Sequence, residues 1–275
     1  MIRLYSFHTA PSALLTYQRE MFARFMDEDH ELVVVNDGRG ATEAAVIAQA
    51  ATTLGLRSAP VPAPEHNNPS DALAAAMEFV VARLLGDDEE ISVLLHADVL
   101  PGARFSLREL LGEGDIAAVA ERKYSPDGQR MLSYPWSGFI CLRTPTLPDR
   151  ATIGFGAGVI DGIACDTGGA FRRYRRSHPE LRLVELSSAA DLDERESADR
   201  LPDLGMPYPQ GRGPQRFAGV LLHYLGGAGW NPDDAPHEPA KRKWFTALCD
   251  GLLTGEVALP SSPQPATAAW PADTP

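Results

Sequence analysis

An apolar run, Ile91-Ser92-Val93-Leu94-Leu95, ends in His96-Ala97-Asp98, placing two metal-capable side chains on either side of a single alanine. Residues at i and i+2 leaving a strand can both turn toward one point. In open α/β sheets, ligands bind at such points beyond the carboxyl ends of the strands. A neutral imidazole and a carboxylate there could hold Mn²⁺ or Mg²⁺ against the phosphates of a substrate. The plainer alternative is that Asp98 caps the following turn and His96 packs against a neighbour. A second histidine closes a late apolar run in Leu221-Leu222-His223-Tyr224-Leu225-Gly226-Gly227-Ala228-Gly229-Trp230. Its glycines permit close backbone approach to a ligand, and Trp230 offers a flat apolar face. A buried structural histidine beside a Gly-rich turn is the competing interpretation.

These residues need elements to position them. Residues 2–7 read as a strand leading to His8 and Thr9, and 32–35 as a second strand leading to Asn36 and Asp37. Between them Leu14, Gln18, Met21, Phe22, Phe25 and Met26 recur largely at helical spacing after the start signals Pro11 and Ser12. Residues 42–54 predict an Ala-rich helix stopped by Gly55, and 56–61 a weaker strand. Ser70 reads as the N-cap of a helix carrying Leu73, Met77, Val80, Val81 and Leu84, closed by Gly86 and an acidic turn. This alternation implies an α/β fold: a mainly parallel central sheet with helices on both faces. Polar residues at the ends of the first, second and fourth strands then gather on one sheet edge, as a nucleotide-binding crevice requires.

The second half is less regular. Residues 116–120, 139–142, 181–186 and 217–223 read as strands, 170–176 as a short helix and 241–253 as a terminal helix. Residues 201–216, rich in Pro and Gly, predict a loop that could fold over a ligand. Beyond 259 the chain is rich in Pro, Ala, Ser and Thr. The expected organisation is one domain over 1–256 and a disordered tail over 257–275.

Composition excludes several classes. The chain has 275 residues, 44% hydrophobic and 23% charged, enough for a sizeable core. A formal net charge of −12 argues against a nucleic-acid-binding surface. Arg172, Arg173, Arg175 and Arg176 form a local exception, read as a solvated helix face or as a docking site for an anionic substrate or a membrane surface. Cys141, Cys165 and Cys249 show no CxxC spacing, which suggests neither a disulfide framework nor a thiolate zinc site. No signal-peptide pattern and no apolar run of membrane-spanning length occur, so a cytoplasmic protein is expected.

Taken together, these motifs resemble glycosyltransferases of the GT-A fold, over approximately residues 2–253. In that family a strand ends in a DxD-like metal motif, here His96-Ala97-Asp98-Val99-Leu100-Pro101. The resemblance implies that Asp37 contacts the nucleoside, with His8, Thr9, Asn36 and Ala97 beside the donor. It makes His223 a further metal ligand near Trp230. Trp136-Ser137-Gly138-Phe139-Ile140-Cys141-Leu142-Arg143 is similar to the Gly-containing strand lining the sugar and acceptor pocket. Cys165-Asp166-Thr167-Gly168-Gly169 falls where inverting members place their acidic catalytic residue, with Gly168 beside the substrate. Histidine replaces the first acid of the metal motif, and imidazole suits Mn²⁺ better than Mg²⁺. Asp166 stands alone where many inverting members carry an acidic pair, leaving the stereochemical course open.

The implied activity is sugar transfer from a nucleoside diphosphate donor to an acceptor, with a divalent cation on the diphosphate and Asp166 as general base. Helix N-capping is the structural alternative for Asp166, and a turn before Gly38 is the alternative for Asp37. Trp136 and Trp230 would face sugar rings or pack in the core. Two rival functions stay open. A sugar-phosphate nucleotidyltransferase would carry a Gly-rich basic loop after the first strand, where this chain reads His8-Thr9-Ala10-Pro11-Ser12. A non-catalytic nucleotide-sugar-binding or protein-interaction relative is the other.

Overall fold

The computed structural model describes residues 1–9, 14–38, 40–62, 68–187, 201–209, 214–224, 238–260 and 267–270. The first half has the expected alternation: β1 (Ile2–His8), α1 (Leu14–Phe25), β2 (His30–Asn36), α2 (Ala41–Thr53), β3 (Arg57–Pro60), α3 (Pro69–Phe79) and β4 (Ile91–His96). β1 pairs in parallel with β2 and β4, and β2 with β3. The chain then continues through β5 (Val99–Pro101), α4 (Leu107–Leu111), β6 (Ile116–Tyr124), β7 (Met131–Arg143), β8 (Gly158–Ile160), β9 (Ile163–Cys165), α5 (Phe171–Ser177) and β10 (Leu183–Leu186). It ends with β11 (Gln215–Phe217), β12 (Leu221–His223), α6 (Glu238–Thr254) and β13 (Thr267–Ala269).

The central sheet runs β13-β10-β6-β7-β4-β1-β2-β3. Strand alternation sorts the core into two layers. Leu4, Leu32, Val93 and Leu95 face Phe22 of α1 and Leu107 and Leu111 of α4. Tyr5, Val33, Val35 and Leu94 face Met77 of α3 and Phe171 and Tyr174 of α5. Successive strands β1, β2 and β3 step one way, and β4 then returns to the other side of β1. Strand order therefore reverses between β1 and β4, the kind of switch point at which open α/β sheets bind ligands beyond the strands' carboxyl ends. That end carries His8 and His96.

Several local expectations are corrected. α3 begins at Asn68, not Ser70: the Asn68 side chain accepts the Ser70 N–H at 2.9 Å, and Pro69 takes the first helical position, where its missing N–H costs nothing. Val80–Leu84 winds into a π-turn. The expected strand over 217–223 is two strands, because Ala218 (φ 49°) and Gly219 (φ 69°) reverse the chain between them. β7 starts eight residues before the expected strand over 139–142, at Met131. The Pro/Ala-rich end of the chain is not wholly without structure: β13 pairs antiparallel with β10, and Trp270 Nε1 donates to Ser133 Oγ at 3.1 Å. An open sheet edge and one large aromatic anchor account for this pairing.

The acidic turn before β4 conceals a buried charge. Glu89 accepts hydrogen bonds from Arg3 Nη1 (2.6 Å), Tyr5 OH (2.8 Å), the Gly86 N–H (2.6 Å) and Ser92 Oγ. Its side chain is fully buried. Glu89→Ala would leave the Gly86 N–H without its acceptor and take one partner from each of Arg3, Tyr5 and Ser92, which keep Glu31, the Leu84 carbonyl and Thr144. A loss of about 1–3 kcal/mol is therefore expected in urea unfolding. Glu89→Gln should lose less, because it keeps one acceptor oxygen. A Glu89→Ala protein as stable as wild type would show that this network is not a fold determinant.

Candidate functional site

His96 ends β4, and Asp98 stands in the turn before β5. β12 pairs antiparallel with β5 in a register that sets His223 opposite Val99. The Tyr224 N–H then donates to the Asp98 carbonyl at 2.8 Å. This pairing brings the late histidine onto the early motif. His223 Nε2 lies 3.5 Å from Asp98 Oδ2, and His96 Nδ1 lies 4.0 Å from Asp98 Oδ1. One donor atom from each of His96, Asp98 and His223 falls within 4.8 Å of the others. Asp98 therefore faces two imidazoles.

Electrostatics suit these groups to a cation. Burial pushes His96 down to about 4, against the pull of Asp98, so its imidazole is neutral near pH 7. Burial pushes the Asp98 carboxyl up, but the imidazoles of His223 and His96 outweigh it and hold the group below the ordinary carboxylate range. His96 Nε2 is buried without a hydrogen-bond partner among the described residues. A buried orphaned imidazole nitrogen beside a carboxylate and a second imidazole is a donor set that fits a divalent transition metal.

The turn is held from behind. Gln18, fully buried on α1, donates both amide hydrogens across it, to the His96 and Val99 carbonyls at 3.0 Å each. Ser6 Oγ donates to Gln18 Oε1 at 2.7 Å and lies 2.9 Å from His8 Nε2. Because the single Ser6 proton goes to an acceptor-only oxygen, His8 Nε2 must carry the hydrogen in that pair. Sequence reasoning did not assign Gln18 this role. The signal was a polar residue on the apolar stripe of α1.

His8 is buried, and desolvation lowers its pKa from 6.5 to about 4. A histidine folded neutral must be deprotonated before the chain can bury it. Its contribution is therefore fully present above pH 6.5 and is lost as pH falls toward 4. Wild type should lose about 2 kcal/mol more than His8→Asn between pH 7.5 and 5. Urea unfolding at the two pH values measures this, and parallel losses would contradict a neutral His8.

Aromatic packing fixes the two imidazoles. The Trp136 ring meets His223 at 4.8 Å, Phe217 at 5.5 Å and His96 at 5.7 Å between centroids. It reaches them through a register shift in the β6–β7 pairing, which passes from Ala118↔Ile140 to Ala120↔Pro135. Its indole lies across Gly138, where a Cβ would collide with it. Gly138 thus makes room for Trp136, and Trp136 braces the histidines; neither role was anticipated. Ser137 is buried in the same strand.

Asp166 follows β9 and is exposed, with its charge acting on His96. It is not the cap of α5, whose N-cap is Ala170. Its N–H donates to Tyr134 OH at 3.0 Å, and its Oδ1 accepts the Thr167 N–H at 2.7 Å. Gly168 has φ +105°, and a Cβ there would strike the Pro135 carbonyl, so this glycine shapes the turn. Asp37 is buried after β2, its N–H donating to the His8 carbonyl at 3.0 Å. Asn36 is engaged locally: its amide donates to the Ala44 carbonyl at 2.7 Å and its Oδ1 accepts the Gly38 N–H at 3.2 Å. That shapes the loop into α2. Thr9 and Ala97 are half-buried beside the cluster's strands. Trp230 lies outside the described residues. Residues 201–209 form no helix or strand; Tyr208 packs edge-on against Trp244 of α6 at 5.4 Å.

No protein-family model and no curated protein matches the chain. Similar solved structures include the galactosyltransferase LgtC in complex with donor and acceptor sugar analogs, at 15% identity over 96% of this chain and 98% of that one, with a TM-score of 0.46. Another is the mannosyltransferase PcManGT from Pyrobaculum calidifontis in complex with GDP-Man and Mn²⁺, at 15% identity and a TM-score of 0.43. That match covers 66% of this chain and only 53% of the mannosyltransferase. Residues 1–349 of TarS from S. aureus match at 13% identity over 56% of this chain and 50% of that one, with a TM-score of 0.35. Among the described residues, no helix is long and apolar enough to cross a membrane.

Proposed function

We propose that this chain is a glycosyltransferase that moves a sugar from a nucleoside diphosphate donor to an acceptor hydroxyl or amine. One observation carries the reading: His96, Asp98 and His223 converge where strand order reverses. One carboxylate and two imidazoles leave a bound dication with net positive charge, which complements a diphosphate. A divalent cation held there supplies Lewis-acid stabilisation of the charge on the departing diphosphate. The imidazoles favour Mn²⁺ over Mg²⁺.

The remaining roles belong to the chain. Asp37, at the end of β2, accepts a hydrogen bond from the base or ribose of the donor. Asp166 takes the proton from the acceptor as that group attacks, a step that needs an exposed carboxylate within hydrogen-bond reach. Gln18 and Trp136 hold the metal-facing groups from behind and from the side, so that little reorganisation accompanies binding.

Isothermal titration with a panel of nucleoside diphosphates, with and without Mn²⁺, tests the reading. Binding of at least one diphosphate that strengthens when Mn²⁺ is added is expected. An absence of nucleotide binding in either condition would leave a non-catalytic interaction module as the better description.

A further inference from the structure

We propose that the β8–β9 hairpin and α5 form a docking surface for an anionic lipid bilayer, a partner the sugar-transfer reading neither requires nor supplies. The hairpin has two unlike faces. Ile160, Ile163 and Cys165 pack inward against Leu132 and Tyr134 of β7, which fixes the hairpin's orientation. Val159 and Ala164 therefore face outward, and Val159 is 67% exposed. Tyr124, 61% exposed, stands at the neighbouring β6–β7 turn. These are two of the four exposed large hydrophobics among the described residues.

Guanidinium groups surround this apolar surface. At the hairpin tip Asp161 accepts from Arg172 Nε at 2.9 Å and from Arg176 Nη2 at 2.6 Å, while Arg130 Nη1 donates to its carbonyl at 3.1 Å. Arg173 and Arg175 have no ion-pair partner among the described residues. Across residues 125–130 and 158–177, five arginines stand against the three carboxylates of Asp127, Asp161 and Asp166. The whole chain carries −12, so long-range attraction does not favour an anionic surface, and any such contact must be made by a local basic patch. Phe171 and Tyr174 bury one side of α5; Arg173 and Arg176 are exposed on the other, Arg175 is half-buried, and Arg172 is largely covered where it meets Asp161.

The mixture decides the partner. A soluble phosphate or carboxylate would need the guanidiniums alone. Arginines interleaved with exposed apolar side chains match a headgroup layer, where charge meets lipid phosphate and apolar groups enter the acyl boundary. Asp166 lies between β9 and α5, so a docked bilayer would lie next to the carboxylate proposed above as the general base.

Co-sedimentation with phosphatidylcholine vesicles, with and without phosphatidylglycerol, tests this on the full chain without any assumption about catalysis. Binding only to vesicles containing phosphatidylglycerol, weakening with added salt, is expected. The double variant Arg173→Glu/Arg175→Glu and the single variant Val159→Asp should each weaken it about tenfold or more with unchanged melting temperatures. Equal binding to neutral vesicles, no binding to anionic ones, or unaltered binding by the double variant would overturn the proposal. So would a loss with the charge reversals but none with Val159→Asp, which would assign the arginines to a soluble anion. Failure here leaves the Mn²⁺-dependent nucleotide titration untouched, so the two readings fail separately.

Discussion

Asp98→Ala should lower turnover by at least about 10³-fold, since it removes the only carboxylate of the cluster and several kcal/mol of transition-state stabilisation with it. The two imidazoles would remain, but the site would lose its negative charge and most of its hold on a dication. Folding should survive. Asp98 is buried, and its removal takes out a charge beside a neutral His96 instead of stranding one. The backbone bond from Tyr224 to the residue-98 carbonyl and the two Gln18 bonds do not depend on the side chain. Mass-spectrometric screening of donor hydrolysis across common nucleotide sugars in Mn²⁺ reads the effect, with Mn²⁺ titration as the binding control. Normal hydrolysis by a folded Asp98→Ala protein would remove this cluster from the reaction.

Asp166→Asn is expected to cut turnover about 10²–10⁴-fold while nucleotide affinity changes little. The substitution keeps size and the oxygen that accepts the Thr167 N–H, and the turn itself rests on backbone bonds, such as Gly169 N–H to the Asp166 carbonyl at 3.0 Å. What it removes is basicity. A parallel loss of nucleotide affinity would indicate a binding role, and an unaltered rate would exclude Asp166 as the base. The pair of variants also separates two functions: Asp98→Ala should abolish Mn²⁺-dependent binding, whereas Asp166→Asn should retain it.

Much of the first half was legible in the residues. Each of β1, β2 and β4 is a short apolar run ending in a polar residue, and α1 and α3 repeat apolar residues at helical spacing. Local patterns of this kind report burial directly, because period and hydrophobicity are properties of contiguous residues. Short elements were not legible. β5, β8 and β9 have three residues each, too few to show a period, and their stability comes from partners distant in sequence. β13 likewise forms because β10 offers an open edge, not because its own sequence insists on a strand.

The candidate site divides along the same line. The types and positions of His96, Asp98, His223 and Asp166 could be read from the chain, since histidine and aspartate at the ends of apolar runs stand out against their surroundings. That His223 meets Asp98 depends on the β5–β12 register, and that Trp136 braces both imidazoles depends on the irregularity opposite Val119. Gln18 and Glu89 looked like ordinary polar residues until the fold closed around them. Which side chains could do chemistry was a local property of the amino acids. Which of them come together was decided by long-range strand pairing, because burial and register are set jointly by segments that no local window contains.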